Sequence, residues 1–167
     1  SSSDARTQGR SAREHATQEA LRASNERFRQ LAENIEEVFW IMNGSNQKLI
    51  YVSAAYEQIW GRTLQSLYAN ESSWLEAIHP EDREKVDATR EASADFDVTY
   101  RVVRPDGTLR FVRDRGFPVV DEEGNVFRIA GIAQDITELE VAKQKLEAHS
   151  RELARSNAEL AQFASVA

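Results

Sequence analysis

Apolar residues along this chain keep three rhythms in succession. From Ser11 to about Ala32 they are sparse, and Leu21, Phe28 and Leu31 recur at helical spacing in a run free of Gly and Pro. That predicts one or two helices, with Ser24 and Asn25 able to cap a restart. At Val38 the rhythm shortens. Val38-Phe39-Trp40-Ile41-Met42 and Leu49-Ile50-Tyr51-Val52 flank Gly44 as the two arms of a hairpin. From Ala54 to about Arg90 short helical pieces are expected, broken at Gly61 and Pro80. Thr63 is a cap, and Pro80 opens a helix whose first turn carries Glu81 and Asp82. Alternation then takes over: Phe96, Val98, Tyr100 and Val102 against Asp97, Thr99 and Arg101, the pattern of a strand with one buried face. Pro105-Asp106-Gly107 turns into a strand from Thr108 to Val120, and Glu122-Glu123-Gly124-Asn125 turns into another from Val126 to Asp135. Beyond it, leucines at 139, 146, 153 and 160 keep a strict seven-residue spacing, with Ile132 one repeat earlier.

Two strands, short helices and three strands fit an α+β domain: a five-stranded antiparallel sheet with short helices on one face. The division is residues 1–10 disordered, 11–34 an N-terminal helix, 35–135 the sheet domain and 136–167 a long helix. A helix of ~32 residues is a rod of ~48 Å, too long to lie on a domain of this size. Leu139, Leu146, Leu153 and Leu160 are therefore read as a coiled-coil seam between two copies of the chain. Its companion row is poor: Ala142, His149, Ser156 and Phe163, or Lys143, Ser150, Asn157 and Ala164. The expected seam is weak.

Charge narrows the partners. The net charge of −7 falls on residues 35–135, since the flanking segments sum to only +1 and −1. An acidic domain is a poor match to a phosphate backbone, so nucleic acid is not an expected partner. The absence of cysteine excludes disulfide and thiolate chemistry and fits a cytoplasmic location. No apolar run approaches the ~18 residues needed to span a bilayer, and no signal peptide opens the chain. With Ser1 in front, the chain reads as a piece of a longer protein, whose remainder is free to carry a membrane anchor.

Six strings in order resemble the PAS family, in its branch with a PAC-type second half. They are Glu26-Arg27-Phe28 with Ala32-Glu33-Asn34, Tyr51-Val52-Ser53 with Trp60-Gly61, and Ile78-His79-Pro80-Glu81-Asp82. Then come Arg104-Pro105-Asp106-Gly107, Val112-Arg113-Asp114-Arg115-Gly116, and Gly131 through Glu138. The resemblance covers about residues 24 to 138 and implies a PAS fold acting as a sensory or interaction module, not an enzyme. Asn157 through Ala167 resembles the start of the dimerisation and phosphoacceptor helix of sensor histidine kinases, broken off just before the histidine. What this implies is a bacterial two-component phosphorelay. The parent would carry C-terminal kinase domains and, through them, reach a response regulator. The same strand-end motif precedes diguanylate cyclase domains, and a ligand-free dimerisation module or a cofactor-bearing photo- or redox sensor are further readings.

Alternation, aligned with the family, points Trp40, Met42, Val98, Tyr100, Val102, Val112, Asp114, Gly131 and Ala133 toward the helices, with Tyr56 and Ile59 closing a pocket from the other side. Gly131 and Ala133 are expected to leave what space there is for a small-molecule ligand. Asp114 requires a donor, from Arg101, Arg110 or a polar ligand. Asp135 and Thr137 stand where strand becomes helix and are the expected signal-transfer residues. No catalytic or metal-binding set emerges. His79 reads as a capping residue, while His15 and His149 read as solvated. A cysteinyl-flavin adduct is impossible without a thiol, and the resemblance disfavours haem, since haem-binding members of that family carry their ligand in the helix that here runs from Glu84 to Glu91 without a His. The ligand itself is unknown from sequence.

Overall fold

A computed structural model describes residues 2–166; Ser1 and Ala167, the outermost residues of the flanking segments, lie outside it. Helix α1 spans Ser2–Glu33 and leads into strands β1 (Val38–Asn43) and β2 (Leu49–Val52). Four short helices follow: α2 (Ala55–Trp60), α3 (Leu64–Ala69), α4 (Ser73–Glu76) and α5 (Pro80–Ala92). Strands β3 (Phe96–Val103), β4 (Leu109–Val120) and β5 (Val126–Asp135) complete the sheet, and α6 (Thr137–Val166) leaves it. The strands lie in the order β2-β1-β5-β4-β3, each pair antiparallel. This is the sheet that the alternation predicted.

Two expectations need correction. Residues 2–10 are helical, and α1 passes Ser24 and Asn25 without interruption. Its outer turns are held by Thr7 donating to the Ser3 carbonyl at 2.8 Å and by an Arg10–Glu14 pair at 3.2 Å. One Gly in a helix costs only about 1 kcal/mol, so Gly9 does not break it. Ile132, which extended the leucine register on paper, lies inside β5. The seven-residue row therefore begins at Leu139.

The concave face is organised in rows across the sheet. One row runs Val52, Trp40, Gly131, Gly116, Phe96. The two glycines lie side by side on β5 and β4, so Trp40 and Phe96 lean inward from either flank and stack with centroids 5.9 Å apart and planes 13° off parallel. The next row is Val38, Ala133, Asp114, Val98, and beyond it Val112 faces Tyr100. Helices α2 to α5 cover this face, and Tyr56, Ile59, Trp60, Leu67, Ile78 and Val86 complete the core with Val98, Tyr100, Val102 and Val112.

Hydrogen bonds close the sheet's outer side. The edge of β3 is taken up by the N-terminus of α5: His79 N donates to the Arg101 carbonyl at 2.8 Å, and Val103 N donates to the Ala77 carbonyl at 2.8 Å. The Asp82 carboxylate accepts from Arg101 N at 2.8 Å, from its Nε at 3.0 Å and from its Nη2 at 2.9 Å. These bonds hold the Asp82 carboxyl down at about 2. Arg104 turns back to donate to the carbonyls of Gln58 and Ile59 at the end of α2. That close approach, with Gly61 at φ +67°, explains the glycine there.

A methyl group at Gly131 would enter the Trp40 indole and come within 2.5 Å of the Arg115 carbonyl oxygen. Gly131→Ala is therefore expected to destabilise the domain by about 1–3 kcal/mol, the usual cost of overpacking. Urea unfolding checks this, and an unchanged midpoint would show that Trp40 lies elsewhere.

Candidate functional site

Between the sheet and helices α2 to α5 lies a cavity of about 50 Å³. Six aromatic rings line it, Trp40, Tyr56, Trp60, Trp74, Phe96 and Tyr100, together with aliphatic side chains and two charged groups, Asp114 and Arg90. Rings dominate because β1, β3 and α2 all present aromatics inward: Tyr56 stacks on Trp60 at 5.0 Å, and Trp60 meets Tyr100 edge-on at 6.5 Å. What remains after this packing has room for about one or two waters, or a short alkyl chain.

Asp114 projects from β4 into this apolar setting. Its Oδ1 accepts from Trp40 Nε1 at 2.9 Å and its Oδ2 from the Tyr100 hydroxyl at 2.9 Å. Burial pushes its carboxyl up to about 6, against the pull of those two donors and of the Arg90 charge. The same burial, with the carboxylate beside it, drives the Tyr100 hydroxyl well above the ordinary phenol value. Neither expected arginine serves as the donor. Arg101 points away to Asp82 and Glu81, and Arg110 stands near Asp135, 3.5 Å from its Oδ2. The nearby cation is Arg90 of α5, seated over the Trp74 ring at 4.8 Å. Burial lowers its pKa, and Asp114 partly restores it.

Of the sequence-derived pocket residues, Trp40, Met42, Tyr56, Tyr100, Asp114 and Ala133 meet at the cavity. Ile59, Val98, Val102 and Val112 are packed into the surrounding core instead. Gly131 leaves no void, since the Trp40 ring occupies the space a side chain would take. Sequence reading missed Val38, Leu49, Val52, Trp60, Leu67, Trp74, Arg90 and Phe96. The alternation that gives Val98 and Tyr100 already places Phe96 on the same face. Nothing comparable marks Arg90, whose helix phase depends on packing. The buried hydroxyls of Tyr56 and Ser73 lie beside each other: burial raises the Tyr56 pKa, and Ser73 opposes the rise.

The second feature is the junction of β5 with α6. Asp135 Oδ1 accepts from Thr137 N at 2.9 Å and from the Thr137 hydroxyl, closing a tight turn. Thr137 Oγ1 in turn accepts from Phe111 N at 3.0 Å, and Ile136 N donates to the Phe111 carbonyl at 2.8 Å. Asp135 and Thr137 thus tie the first turn of α6 to β4, through a backbone position, Phe111, that sequence reading did not single out. Beyond this turn α6 buries no described residue, and Leu139, Leu146, Leu153 and Leu160 are all exposed.

Comparison with known proteins gives this arrangement a family. The sequence profile of the PAS fold matches residues 49–133. This chain belongs to the PAS family. A relative in Sinorhizobium fredii, the uncharacterized protein y4lL, is 33% identical over 131 residues, covering 76% of this chain, which spans only 16% of that protein's length. Among solved structures, this PAS domain is similar to a sensory box histidine kinase/response regulator from Burkholderia thailandensis (26% identity, TM-score 0.59, 77% of this chain and 98% of that one). It is also similar to the N-terminal domain of a diguanylate cyclase with PAS/PAC sensor from Marinobacter aquaeolei (25% identity, TM-score 0.56, 62% of this chain and 98% of that one). It is a PAS sensory domain. Among its described residues no helix is long and apolar enough to cross a membrane, and no group of three or more His, Asp or Glu could hold a metal ion.

The raised carboxyl of Asp114 has a definite pH signature. A carboxyl whose folded value lies above its unfolded 3.8 favours folding below 3.8, and that contribution is lost as pH rises through about 6. Asp114→Asn keeps an acceptor for Trp40 and removes the charge. Wild-type stability should therefore fall relative to the variant between those two values, by on the order of 3 kcal/mol. Asp82 does not confuse the result, because its contribution is lost only as pH falls from 3.8 toward 2. Chemical denaturation of both proteins across the range checks this; parallel curves would refute it.

Proposed function

We propose that this PAS domain is the input module of a cytoplasmic histidine kinase, which it regulates through a dimeric coiled coil formed by α6. One observation carries the reading. A helix of 30 residues grows out of the last strand, hydrogen-bonded to the sheet at its first turn through Asp135, Ile136, Thr137 and Phe111, with its leucines unburied. Leu139, Leu146, Leu153 and Leu160 are 69%, 69%, 51% and 63% exposed. Such a row in water is costly, and a second copy of the same helix covers it. The likeness to the Burkholderia sensory box histidine kinase/response regulator and the resemblance of residues 157–167 to a phosphoacceptor helix support a kinase as the output. A change at the cavity would alter the strand ends, shift the helix pair and bias transfer of phosphate from ATP to a histidine, and from there to a response regulator.

The second reading is a diguanylate cyclase output, supported by the Marinobacter domain. A dimerisation module without a ligand is a third, favoured by the smallness of the cavity.

Two experiments test the proposal. Replacing Leu146 and Leu153 with Lys should shift sedimentation toward monomer while the β signal in circular dichroism persists; a wild-type chain that stays monomeric when concentrated excludes the coil. Incubating the full-length parent with labelled ATP should place an acid-labile, base-stable label on a histidine following α6. A nucleotide-cyclising activity instead would establish the cyclase reading.

A further inference from the structure

One cation on the wall of this largely apolar cavity has no counter-ion beside it. Arg90 makes no ion pair among the described residues, and its one hydrogen bond is a weak 3.7 Å contact from Nη2 to Met42 Sδ. A guanidinium has five N–H donors in a planar fork suited to two oxygens of one carboxylate. Its face is spent on Trp74, but its edge is not. Asp114 does not take up these donors, because its two oxygens are engaged by Trp40 and Tyr100 and it lies beyond ion-pair distance of Arg90. The rest of the lining is aromatic and aliphatic, and the free volume of about 50 Å³ is far below that of a flavin or a haem.

We propose that this cavity binds a short-chain aliphatic monocarboxylate, its anionic head on the Arg90 guanidinium and its alkyl tail among Trp60, Leu67 and Val52. The proposal rests on the sensory reading only in giving that reading its ligand. An alkyl tail of about two carbons matches the space. An alkylammonium ion does not fit, despite the rings, because Arg90 already covers the available Trp74 face with positive charge.

Binding is coupled to a proton. Asp114 faces Arg90 from across the cavity and Tyr100 at hydrogen-bond distance, and Arg90 in turn feels Asp87 on its own helix. A carboxylate on Arg90 offsets the positive charge that helps keep Asp114 ionised and adds a negative one. Asp114, poised at about 6, then takes up a proton. Affinity is therefore highest below about 6 and falls as pH rises above it, a range in which a short carboxylate stays ionised.

Tryptophan fluorescence reads this directly on the chain itself, because Trp40, Trp60 and Trp74 line the cavity. Sodium propionate, titrated against sodium chloride at equal ionic strength, should give a saturable change. It should be tighter near pH ~6 than near pH ~8, stronger for propionate than acetate, and weaker again for hexanoate. Arg90→Gln should weaken binding about tenfold or more, and Arg90→Lys, which keeps the charge and loses the fork, by less. Circular dichroism shows whether each variant is folded, and the wild-type titration needs no variant at all. No saturable response to propionate, an undiminished response in folded Arg90→Gln, or saturation by tetramethylammonium instead would overturn the proposal. None of these readouts involves kinase output, so carboxylate binding stands or falls separately from the identity of the effector.

Discussion

Removing a carboxylate from water costs several kcal/mol unless its lone pairs are met by well-placed donors, and the interior of this domain is arranged around that requirement at Asp114. Its donors are an indole N–H from β1 and a phenol O–H from β3. β4 is separated from β1 by β5, so Trp40 must cross a whole strand to reach Asp114. The crossing is possible only because Gly131, its partner on β5, has no side chain. Gly116 does the same for Phe96 on the other flank, and the two rings meet above the pair. One buried charge thus accounts for Gly131, while Gly116 lets Phe96 stack on the ring that serves it.

The strings that carried the family resemblance are mostly structural. Arg104 terminates α2 and Gly61 makes room for it; Asp82 secures the open edge of β3; Ser53 Oγ accepts from Phe39 N at 2.8 Å and holds β1 to β2. These residues give a PAS domain its shape. Of the fourteen residues that line the cavity, only Val52, Trp60, Asp114 and Ala133 belong to those strings, so the family resemblance carried little about the ligand.

The strands were legible because period-two alternation, bounded by Pro-Asp-Gly and Glu-Glu-Gly-Asn turns, permits few alternatives. The continuous α1 was not: a polar helix with few apolar residues has the composition of a disordered segment, and its caps and breaks are ambiguous. The partners of Asp114 were misread for a different reason. Arg101 alternates onto the opposite face from Tyr100, and Arg110 lies four residues, about 13 Å, along β4 from Asp114. Sequence proximity favoured both, and strand geometry removes both. Arg90 became visible only once α5 was docked on the sheet, since nothing local fixes the rotation of a short polar helix.

β4 is the element shared by cavity and junction. Asp114 lies three residues, about 10 Å, from Phe111, whose N–H and carbonyl hold Thr137 and Ile136. A register slip of β4 against β5 is unavailable as a signal, because moving by one residue would turn Asp114 and Val112 outward and their neighbours Arg113 and Arg115 inward. What is left is a change in strand tilt, or exchange of the hydrogen bonds at the strand end. Protonating Asp114, or loading the cavity beside it, alters the bonds to Trp40 and Tyr100 and hence the pull across β1, β5, β4 and β3. At the far end Asp135, Thr137 and the Phe111 backbone bond one another, with Arg110 3.5 Å from Asp135 Oδ2 and solvent as the alternatives to their present pairing. A helix anchored by so few bonds is easily re-aimed, and its length turns a small rotation at Thr137 into a displacement of several ångströms near Leu160.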